Sequence, residues 1–540
     1  MTHVDYSCTL LSSNADNSQK KSILLYLNSQ QMNFATLDVK AEHTERWNRI
    51  CCFRKAKMCS FLLGMSILTF VMMSYFLTGD NKSFFLPQAS FQYTELANIA
   101  ELLTNRSINE ELQDSEFLDN SLHALYNVSI ASLTDLIHFK LKAASRQQRQ
   151  LPSLKDLAAQ EPHIFSVIPK EFLPYSRNPC WFEEYKESLK TDPYKRNSYP
   201  LYSKQFRTTF EYLRKAFWNH LIHENNTHYR LRCLPYFYII GQPKCGTTDL
   251  FERLRIHPQV RFSTIKEPHW WTRKRYGIVR LKDGVHEKYP VEDYLDLFDL
   301  ATYQLQTISA RSSSEGEHKW KNIIIGEASA STMWDNSAWI YFYNNSVDGE
   351  PPFMVQDFIH AVQPDAKFIA LLRNPVERLY SDYLYFESTN KSAEDFHEKV
   401  IDSLQQFDSC LQHYSLRACV YDTALHMSMP VRLQLGTYVI FLKDWLTVFG
   451  REQLLILRLE DHASNLKHTM HLVFEFLHLG PLTRQQEDLM TKNPAHNTRR
   501  LKDRNLGPML PGTKEILKQF YWPFNQKLAE LLSDVSFLWL

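Results

Sequence analysis

The stretch YFYIIGQPKCGTTDLFERLRI, residues 236–256, organises the rest of the sequence. Its first five residues are aromatic or β-branched and predict a buried strand, and a helical pattern begins at Thr247 or Thr248. Between them lies a loop bounded by glycines, where backbone N–H groups and the positive end of a helix dipole favour anions. Lys244 adds a full charge, and the two threonines add hydroxyl donors. The stretch therefore predicts a site for a phosphate-like group.

The loop departs from the Walker A pattern, in which Lys follows the second Gly directly and Ser or Thr comes next. Here Thr247 follows Gly246, and the lysine stands two residues before that glycine. An ordinary strand-turn-helix connection is the alternative interpretation. The joint placement of the polar residues favours an anion site, which we assign to Lys244, Cys245, Gly246, Thr247 and Thr248.

A second phosphate signal lies in AKFIALLRNPVERLYSDYLYF, residues 366–386. Residues 368–372 predict a strand, and Pro375 suits the first turn of a helix. Arg373 at the strand end can clamp a phosphate through two parallel bonds, and Ser381, about two helical turns on, adds a hydroxyl. A strand-end arginine alone is usually structural. Paired with the first loop, however, it indicates a ligand phosphorylated at both ends, such as adenosine 3′-phosphate 5′-phosphosulfate.

Candidate acid–base residues follow the next predicted strand, in VRFSTIKEPHWWTRKRYGIVR, residues 260–280. In open α/β sheets ligand chemistry gathers at the carboxyl ends of strands. Glu267 is therefore a candidate general base, with His269 as the alternative, although a lone Glu is ordinarily a solvated carboxylate. The aromatic and basic residues beyond them predict contact with an anionic polymer, or else a solvated charged face: Trp270, Arg273, Lys274, Arg275, Arg280 and Lys282.

Further strands and helices follow along the chain. Residues 323–325 predict a short buried strand, and Glu327, which follows its end, is a further candidate for substrate contact. Residues 437–450 predict an amphipathic helix capped by Gly450, and residues 453–459 predict a strand. The helical patterns end with residues 515–532. The basic segment 493–504 contains Arg499 and Arg500, and it either closes over a phosphorylated ligand or is a solvated loop.

Residues 58–77, MCSFLLGMSILTFVMMSYFL, form an uncharged stretch long enough to cross a lipid bilayer as a helix. The stretch is too far from Met1 for a cleaved signal peptide. Basic residues before it and Asp80 after it place the N-terminus in the cytosol by the positive-inside rule. A buried core helix is the alternative. We expect a cytosolic tail over 1–57, a signal-anchor over 58–77, a lumenal stem over 78–160 and a globular domain over 161–540.

Glycosylation signals and cysteines support this topology. The N-x-S/T sequons all follow the predicted span, and they start at Asn81, Asn105, Asn127, Asn225, Asn344 and Asn390. An oxidising lumen permits disulfides. For that compartment we predict the pairs Cys410–Cys419 and Cys180–Cys233, and Cys245 as a free thiol. The formal net charge of +1 gives no indication of a nucleic-acid partner.

The three motifs resemble those of the Golgi carbohydrate sulfotransferase family. PKCGTT, residues 243–248, looks like the 5′-phosphosulfate loop, and LLRNPVERLYSDY, residues 371–383, looks like the 3′-phosphate motif. KEPHWW, residues 266–271, is similar to the segment with the catalytic base. The resemblance covers about residues 150–540 and implies a P-loop-like α/β fold, with a central parallel sheet flanked by helices. It also implies 3′-phosphoadenylyl sulfate as co-substrate, no metal, and a single-pass type II Golgi membrane protein.

The resemblance further implies an acceptor. The sulfuryl group would go to the 6-hydroxyl of N-acetylgalactosamine 4-sulfate in chondroitin or dermatan sulfate chains. Glu267 or His269 would remove the hydroxyl proton, and Lys244 would neutralise charge on the bridging oxygen. Related heparan sulfotransferases often have Lys after the third motif's Glu, whereas here Ala328 follows Glu327.

Two other classes stay open, and neither accounts for all the motifs. A lumenal nucleotide kinase or NTPase is disfavoured by the displaced lysine. A non-enzymatic glycan-binding membrane protein leaves the paired phosphate sites unexplained. A homodimer is compatible with the sequence.

Overall fold

The computed structural model describes residues 130–144, 149–188, 190–201, 204–278, 287–310, 322–342, 349–387 and 391–540, all within one compact unit, Glu110–Leu540. No helix in these ranges is long and apolar enough to span a membrane. Several predictions fall outside the ranges: the span over 58–77, the tail before it, the sequons Asn81, Asn105, Asn127, Asn344 and Asn390, and the basic residues Arg280 and Lys282.

A five-stranded parallel sheet forms the centre of the described part of the chain. In sheet order its strands are β5 (Val260–Phe262), β6 (Ile324–Glu327), β4 (Phe237–Gly241), β7 (Lys367–Leu372) and β8 (Leu454–Arg458). The predicted central parallel sheet is thus confirmed. From β4 the chain goes to the edge strand β5, returns to β6 beside β4, and then crosses to β7 and β8 on the other side. A topological switch point therefore lies beside β4. Ligands of open α/β sheets bind at such points.

Strand β4 is buried on both faces. Phe237 and Ile239 join one apolar cluster, whereas Tyr238 and Ile240 join the other, because successive side chains of a strand point to opposite faces. A strand covered on both sides needs the continuous apolar run that the sequence shows. The sheet is therefore the middle layer, with helices packed on each face.

The helices that follow the motifs begin where the sequence predicts. Thr247 is the first residue of one helix, and Pro375 is the first residue of another, with Asn374 accepting a capping bond from the N–H of Val376 at 3.0 Å. After a helical segment over residues 130–144, the helices of the described residues are, in chain order, α1 (Leu154–Gln160), α2 (Pro162–Val167), α3 (Lys204–Phe217), α4 (Thr247–Leu254), α5 (Val291–Asp296), α6 (Asp299–Ala310), α7 (Trp339–Phe342), α8 (Val355–Val362), α9 (Pro375–Phe386), α10 (Ala393–His413), α11 (Leu416–Tyr421), α12 (Thr423–Ser428), α13 (Tyr438–Leu446), α14 (Leu459–Ser464), α15 (Leu466–Phe476), α16 (Arg484–Lys492), α17 (Leu501–Arg504) and α18 (Pro511–Leu532).

A small antiparallel sheet precedes the central sheet, and the sequence analysis did not predict it. Within the described residues it comprises β1 (Cys180–Tyr185), β3 (Thr227–Cys233) and β2 (Ile222–Glu224), in that order. The β2–β3 turn is formed by Asn225 and Asn226, both with positive φ (49° and 63°). Two such residues favour the tight hairpin turn whose twist matches the strands. Asn225, a predicted glycosylation position, is exposed at this turn.

The predicted disulfides Cys180–Cys233 and Cys410–Cys419 are both present, and Cys245 is a buried free thiol. Cys180 and Cys233 are register partners on β1 and β3. This cross-link therefore joins the adjacent strands β1 and β3 within the small sheet, just before the chain enters β4.

Two features differ from expectation. The helix predicted to end at Gly450 is α13, which ends at Leu446; Gly450 has an extended conformation and precedes another short helical turn. In addition, residues 130–144, assigned to the stem, are helical. Ile130, Leu133 and Ile137 of this segment are buried in the main apolar cluster, so the packed core begins upstream of residue 161. Their i, i+3, i+7 spacing is the helical signal that the polar composition obscured.

Candidate active site

The loop between β4 and α4, residues 242–246, is named the anion loop here, and it lies at the carboxyl edge of the sheet. The N–H of Gln242 donates to the carbonyl oxygen of Leu371 on β7 at 2.9 Å. Lys244 and Gly246 both have positive φ (68° and 88°). A Cβ on Gly246 would lie 2.6 Å from Leu459 Cδ1. A glycine is thus required where the loop turns into the helix.

Cys245 does not present its thiol to this edge. Its side chain is fully buried, with Sγ 3.9 Å from the hydroxyl of Tyr438. Burial raises the pKa of the thiol to about 12. Any contribution of Cys245 to anion binding must therefore come from its backbone.

The Lys244 ammonium packs against an aromatic ring of α9. Its Nζ stands 3.6 Å from the centroid of the Tyr385 ring, a cation–π contact. Burial lowers the pKa of Lys244 to about 8; Asp382 opposes this shift, and the positive charges of Arg373, Arg500 and Arg432 add to it. A cation surrounded by other cations gains from an incoming anion.

The second motif contacts the first directly. Arg373 donates from Nη1 to the carbonyl oxygen of Lys244 at 3.5 Å, and its own carbonyl accepts from the hydroxyl of Tyr438 at 2.8 Å. Ser381 is half-buried on α9, which begins just after Arg373. Arg378 is fully buried and donates to the carbonyl of Arg432 at 2.9 Å, so it supports the fold rather than facing the site.

The two candidate bases follow β5 and are adjacent. Glu267 is ion-paired with Lys266, and its Oε2 lies 3.7 Å from His269 Nε2. His269 is held from the other side, because its Nδ1 is 2.7 Å from Ser331 Oγ and its backbone N–H donates to Ser329 Oγ at 3.0 Å. Both bases have positive φ (59° and 52°), a strained conformation typical of functional loops.

The electrostatics leave both groups able to accept a proton at neutral pH. Burial acts to raise the pKa of Glu267, but Lys266, His269 and Arg273 together hold it below its ordinary value. Burial, followed by the charge of Arg273, lowers the pKa of His269 to about 4. Glu267 is therefore ionised and His269 neutral.

Four residues predicted to touch the substrate are instead buried in the core. Trp270 stacks on the ring of Tyr294 and donates to a backbone carbonyl, and it is 2% exposed. Lys274 and Arg275 are also buried, and Arg275 donates to the carbonyl of Trp271 at 2.7 Å. Glu327 is the fourth. For Trp270, Lys274 and Arg275 the reason is that a turn rather than a strand follows His269, and this turn points their side chains inward.

Glu327 is buried at the end of β6, so its side chain is not open to a ligand at the carboxyl edge. It is 1% exposed at the end of β6, and its Oε1 has no hydrogen-bond partner among the described residues. Burial raises the pKa of Glu327 to about 7, against the bonds from Ser329 and with the help of the Glu267 charge. The two carboxyls therefore interact, and the negative charge of Glu267 favours the protonated form of Glu327.

The basic segment 493–504 is tied to the rest of the site. Arg500 donates to the carbonyl of Leu384 at 2.9 Å. Its guanidinium lies 5.5 Å from the centroid of the Tyr385 ring, which the Lys244 ammonium also contacts. The Arg499 guanidinium lies 5.4 Å from the ring of Tyr380. Both arginines therefore lie against α9, beside the predicted phosphate positions.

Sequence reasoning missed several residues at this edge. Arg432 is ion-paired with Asp382, and its guanidinium lies 4.3 Å from the Phe386 ring. Arg273, which was predicted, is paired with Asp335 at 2.5 Å. Asp382 lies within residues 371–383, the predicted 3′-phosphate motif, and could have been found there. Arg432 and Asp335 have no local pattern, because only the tertiary fold brings them to the site.

Among the residues that the structure describes, no three His, Cys, Asp or Glu side chains are grouped so that they could hold a metal ion.

Comparison with known proteins places this geometry in context. Residues 234–508 match the sequence model of the family described as "Sulfotransferase domain". Rat carbohydrate sulfotransferase 15 is 57% identical over 524 residues, covering 96% of this chain and 92% of the rat protein. The human protein of that name is 56% identical over 520 residues, with the same coverage of 96% and 92%. A solved sulfotransferase from Alicyclobacillus acidocaldarius matches at 21% identity with a TM-score of 0.36, covering 56% of this chain and 96% of that one.

Proposed function

The chain belongs to the sulfotransferase family, alongside the carbohydrate sulfotransferase 15 proteins, and from that premise we propose that it transfers a sulfuryl group from 3′-phosphoadenylyl sulfate to the 6-hydroxyl of N-acetylgalactosamine 4-sulfate. The acceptor chains would be chondroitin or dermatan sulfate, and the products would be 4,6-disulfated units. The family implies the donor, and the relatives act on carbohydrate by name.

The observation that carries the proposal is the contact between the two anion-binding motifs. Arg373 Nη1 is 3.5 Å from the carbonyl oxygen of Lys244. One ligand can therefore span from the anion loop to the carboxyl end of β7. A nucleoside with phosphate on both the 3′ and 5′ oxygens requires two such anion sites close together.

The anion loop would hold the 5′ end of the donor. The hydroxyls of Thr247 and Thr248 and the backbone N–H groups at the start of α4 are the available donors, at the positive end of the helix dipole. Arg373 and Ser381 would hold the 3′-phosphate, and Arg499 and Arg500 lie against the same helix. The bound donor supplies an electrophilic sulfur and a phosphate leaving group.

The chain's own residues would then handle the proton and the charge. Glu267 would take the proton from the acceptor hydroxyl while the hydroxyl oxygen forms the new bond to sulfur. The bond between sulfur and the bridging oxygen breaks, and the electron pair stays on the departing phosphate. Lys244 would neutralise that charge, and fixed charge of this kind is often the largest catalytic contribution. His269 is placed to orient Glu267 or to replace it as base.

The same proposal includes a cellular location. Residues 58–77 would anchor the chain in the Golgi membrane as a single-pass type II protein, with the catalytic domain in the lumen. Two disulfides in the described part of the chain and the exposed sequon at Asn225 support an oxidising, glycosylating compartment.

Calorimetry on the full-length protein tests the donor assignment. We expect adenosine 3′,5′-bisphosphate to bind without a divalent cation, and to bind much more tightly than ATP with Mg²⁺. Tighter binding of Mg-ATP would instead support a kinase or NTPase. Binding of chondroitin chains with no nucleotide binding would support a glycan-binding protein.

A further inference from the structure

Two arginines at the carboxyl edge are oriented in advance by buried carboxylates. Arg273 Nε donates to Asp335 Oδ2 at 2.5 Å, and Arg432 Nε donates to Asp382 Oδ2 at 2.8 Å. The arginine side chains are 22% and 23% exposed, whereas those of Asp335 and Asp382 are 1% and 4% exposed. Each guanidinium is thus fixed from beneath and can reach a ligand with little loss of side-chain entropy.

The charges of both arginines act on one imidazole, that of His426. The Trp334 ring, next to Asp335 in the chain, lies 5.4 Å from the His426 ring. Gln434, two residues after Arg432, is hydrogen-bonded to His426. Burial first, and then the charges of Arg432 and Arg273 against those of Asp335 and Asp382, lower the pKa of His426 to about 4. Charged residues that are far apart in the sequence therefore act together on the His426 imidazole.

The two arginines also act on the anion loop and on the candidate bases. The Arg432 guanidinium lies over the ring of Phe386, whose neighbour Tyr385 carries the Lys244 ammonium. The Arg432 charge contributes to the lowered pKa of Lys244, and the Arg273 charge contributes to those of Glu267 and His269. In the proposed mechanism the acceptor hydroxyl lies between Lys244 and Glu267, the two groups on which the charges of Arg432 and Arg273 act.

The charges around Arg432 are not fully neutralised, so an anion can bind there. Asp382 is shared, because Arg378 Nη1 lies 3.6 Å from the same carboxylate that Arg432 contacts. One carboxylate cannot neutralise two guanidiniums. The excess positive charge is held in a partly buried setting, where an ion pair with a ligand is less screened by salt than on an open surface.

We propose that Arg273 and Arg432 form an acceptor-sulfate subsite that recognises the 4-O-sulfate of the same sugar whose 6-hydroxyl is attacked. The proposal rests on the function proposed above and adds how that acceptor is selected. In N-acetylgalactosamine the oxygen on C4 is axial and lies on the same face of the ring as C6. A sulfate on C4 is therefore carried close to the reacting oxygen, within reach of arginines whose charges act on the site.

The test compares two acceptors with each variant. Full-length protein and labelled donor are incubated with 4-O-sulfated or unsulfated chondroitin oligosaccharides of equal length, and kcat/KM is measured for both. For Arg432→Gln and Arg273→Gln we expect the loss on the sulfated acceptor to exceed the loss on the unsulfated one by about 10- to 100-fold, mainly through KM, the range for a lost charge-assisted bond. Arg417→Gln is the matched control, since Asp444 and Glu350 hold that arginine, and its acceptor ratio should equal that of the unmodified protein.

Several outcomes would overturn the subsite. Equal losses on both acceptors, or an unmodified protein with no preference for the sulfated acceptor, would reject it while the proposed function stands. Transfer to neither chondroitin acceptor would reject the proposed function and the subsite together. Binding of adenosine 3′,5′-bisphosphate checks that each variant is folded. Arg432→Lys and Arg273→Lys, which keep the charge but lose the planar fork, replace any Gln variant that fails this check and should show the same preference loss to a smaller degree.

Discussion

Arg373 and Lys244 are 129 residues apart in the sequence, and the guanidinium of Arg373 donates from Nη1 to the carbonyl oxygen of Lys244 at 3.5 Å. The contact joins the end of β7 to the anion loop after β4, two strands that are neighbours in the parallel sheet. It fixes the spacing between the two positions at which we propose phosphate binding. The loop backbone at Lys244 therefore depends on the second motif as well as on its own sequence.

Removal of the Arg373 guanidinium should weaken binding in a way that depends on the 3′-phosphate. For Arg373→Ala we expect the affinity for adenosine 3′,5′-bisphosphate to fall about 10- to 100-fold, the range for a lost charge-assisted bond. Affinity for adenosine 5′-phosphate should fall much less. Calorimetry with both nucleotides measures the difference. Arg451→Ala, which removes an exposed arginine bonded to the carbonyl of Leu454, serves as control; equal losses for the two nucleotides would reject the 3′-phosphate assignment.

The lowered pKa of Lys244 predicts an alkaline limit to activity. The ammonium is charged below its pKa of about 8, so kcat/KM should decline as the pH rises through that value. This profile reports groups of the free enzyme. In Lys244→Arg the decline should vanish over the same range, because a guanidinium keeps its charge. Lys244→Ala should lower kcat at least about 100-fold at pH 7.

The pH dependence of kcat and of the Lys244→Arg variant shows whether Lys244 is the group that titrates. The profile for kcat should decline at higher pH than that for kcat/KM, because bound phosphate stabilises the charged lysine. A decline near pH 8 that persists in Lys244→Arg would show that another group is responsible. Near-normal transfer by Lys244→Ala would remove Lys244 from the proposed mechanism.

Substitution of the two candidate bases separates their roles. Glu267→Gln keeps the size of the side chain and removes its basicity, and it should lower kcat by about 100- to 10,000-fold with little change in bisphosphate binding. His269→Asn should have a smaller effect if the imidazole mainly orients Glu267 at 3.7 Å. Timed reactions with labelled donor, quenched at intervals, give kcat for each of the two variants. The reverse order of effects would assign the base to His269.

The sequence predicted the parts of the site that are local. The anion loop, the start of α9 and the end of β5 each depend on a strand, a turn and a helix start within about 20 residues. The inward turn of Trp270, Lys274 and Arg275 was not predictable, because alternation of polar and apolar residues does not show which way an irregular turn faces. Arg432 and His426 were also missed, since they reach the site only through packing of α12 and the chain before α13.

Asp249 connects the anion loop's helix to the basic segment. It accepts bonds from Arg253 at 2.7 Å, from His462 at 2.8 Å and from the backbone N–H of His496 at 2.8 Å. Burial would raise the pKa of Asp249, but the bonds from His462 and Arg253 hold it well below its ordinary value. Asp249→Asn removes the charge from a buried network, and we expect it to cost about 3–5 kcal/mol in the free energy of unfolding at pH 7.

The sign of the pH effect follows from the depressed pKa of Asp249. Its ionised form stabilises the fold above the unfolded-state pKa of about 3.9, and that contribution is lost as the pH falls towards the folded-state pKa. The difference between Asp249→Asn and the unmodified protein, measured by urea unfolding, should therefore shrink below about pH 4. Asp488→Asn removes an exposed carboxylate paired with Lys492 and should change stability by less than about 0.5 kcal/mol. A deficit that stays constant with pH would mean that the charge of Asp249 is not what stabilises the network.

The central claim is best tested by mapping where the sulfate goes. Full-length protein is incubated with labelled 3′-phosphoadenylyl sulfate and a defined 4-O-sulfated chondroitin oligosaccharide, and the product is digested and analysed for the labelled position. We predict the label on the 6-oxygen of N-acetylgalactosamine 4-sulfate, with no label transferred by Lys244→Ala beyond about 1% of the unmodified rate. Label at another position, or undiminished transfer by that variant, would contradict the account.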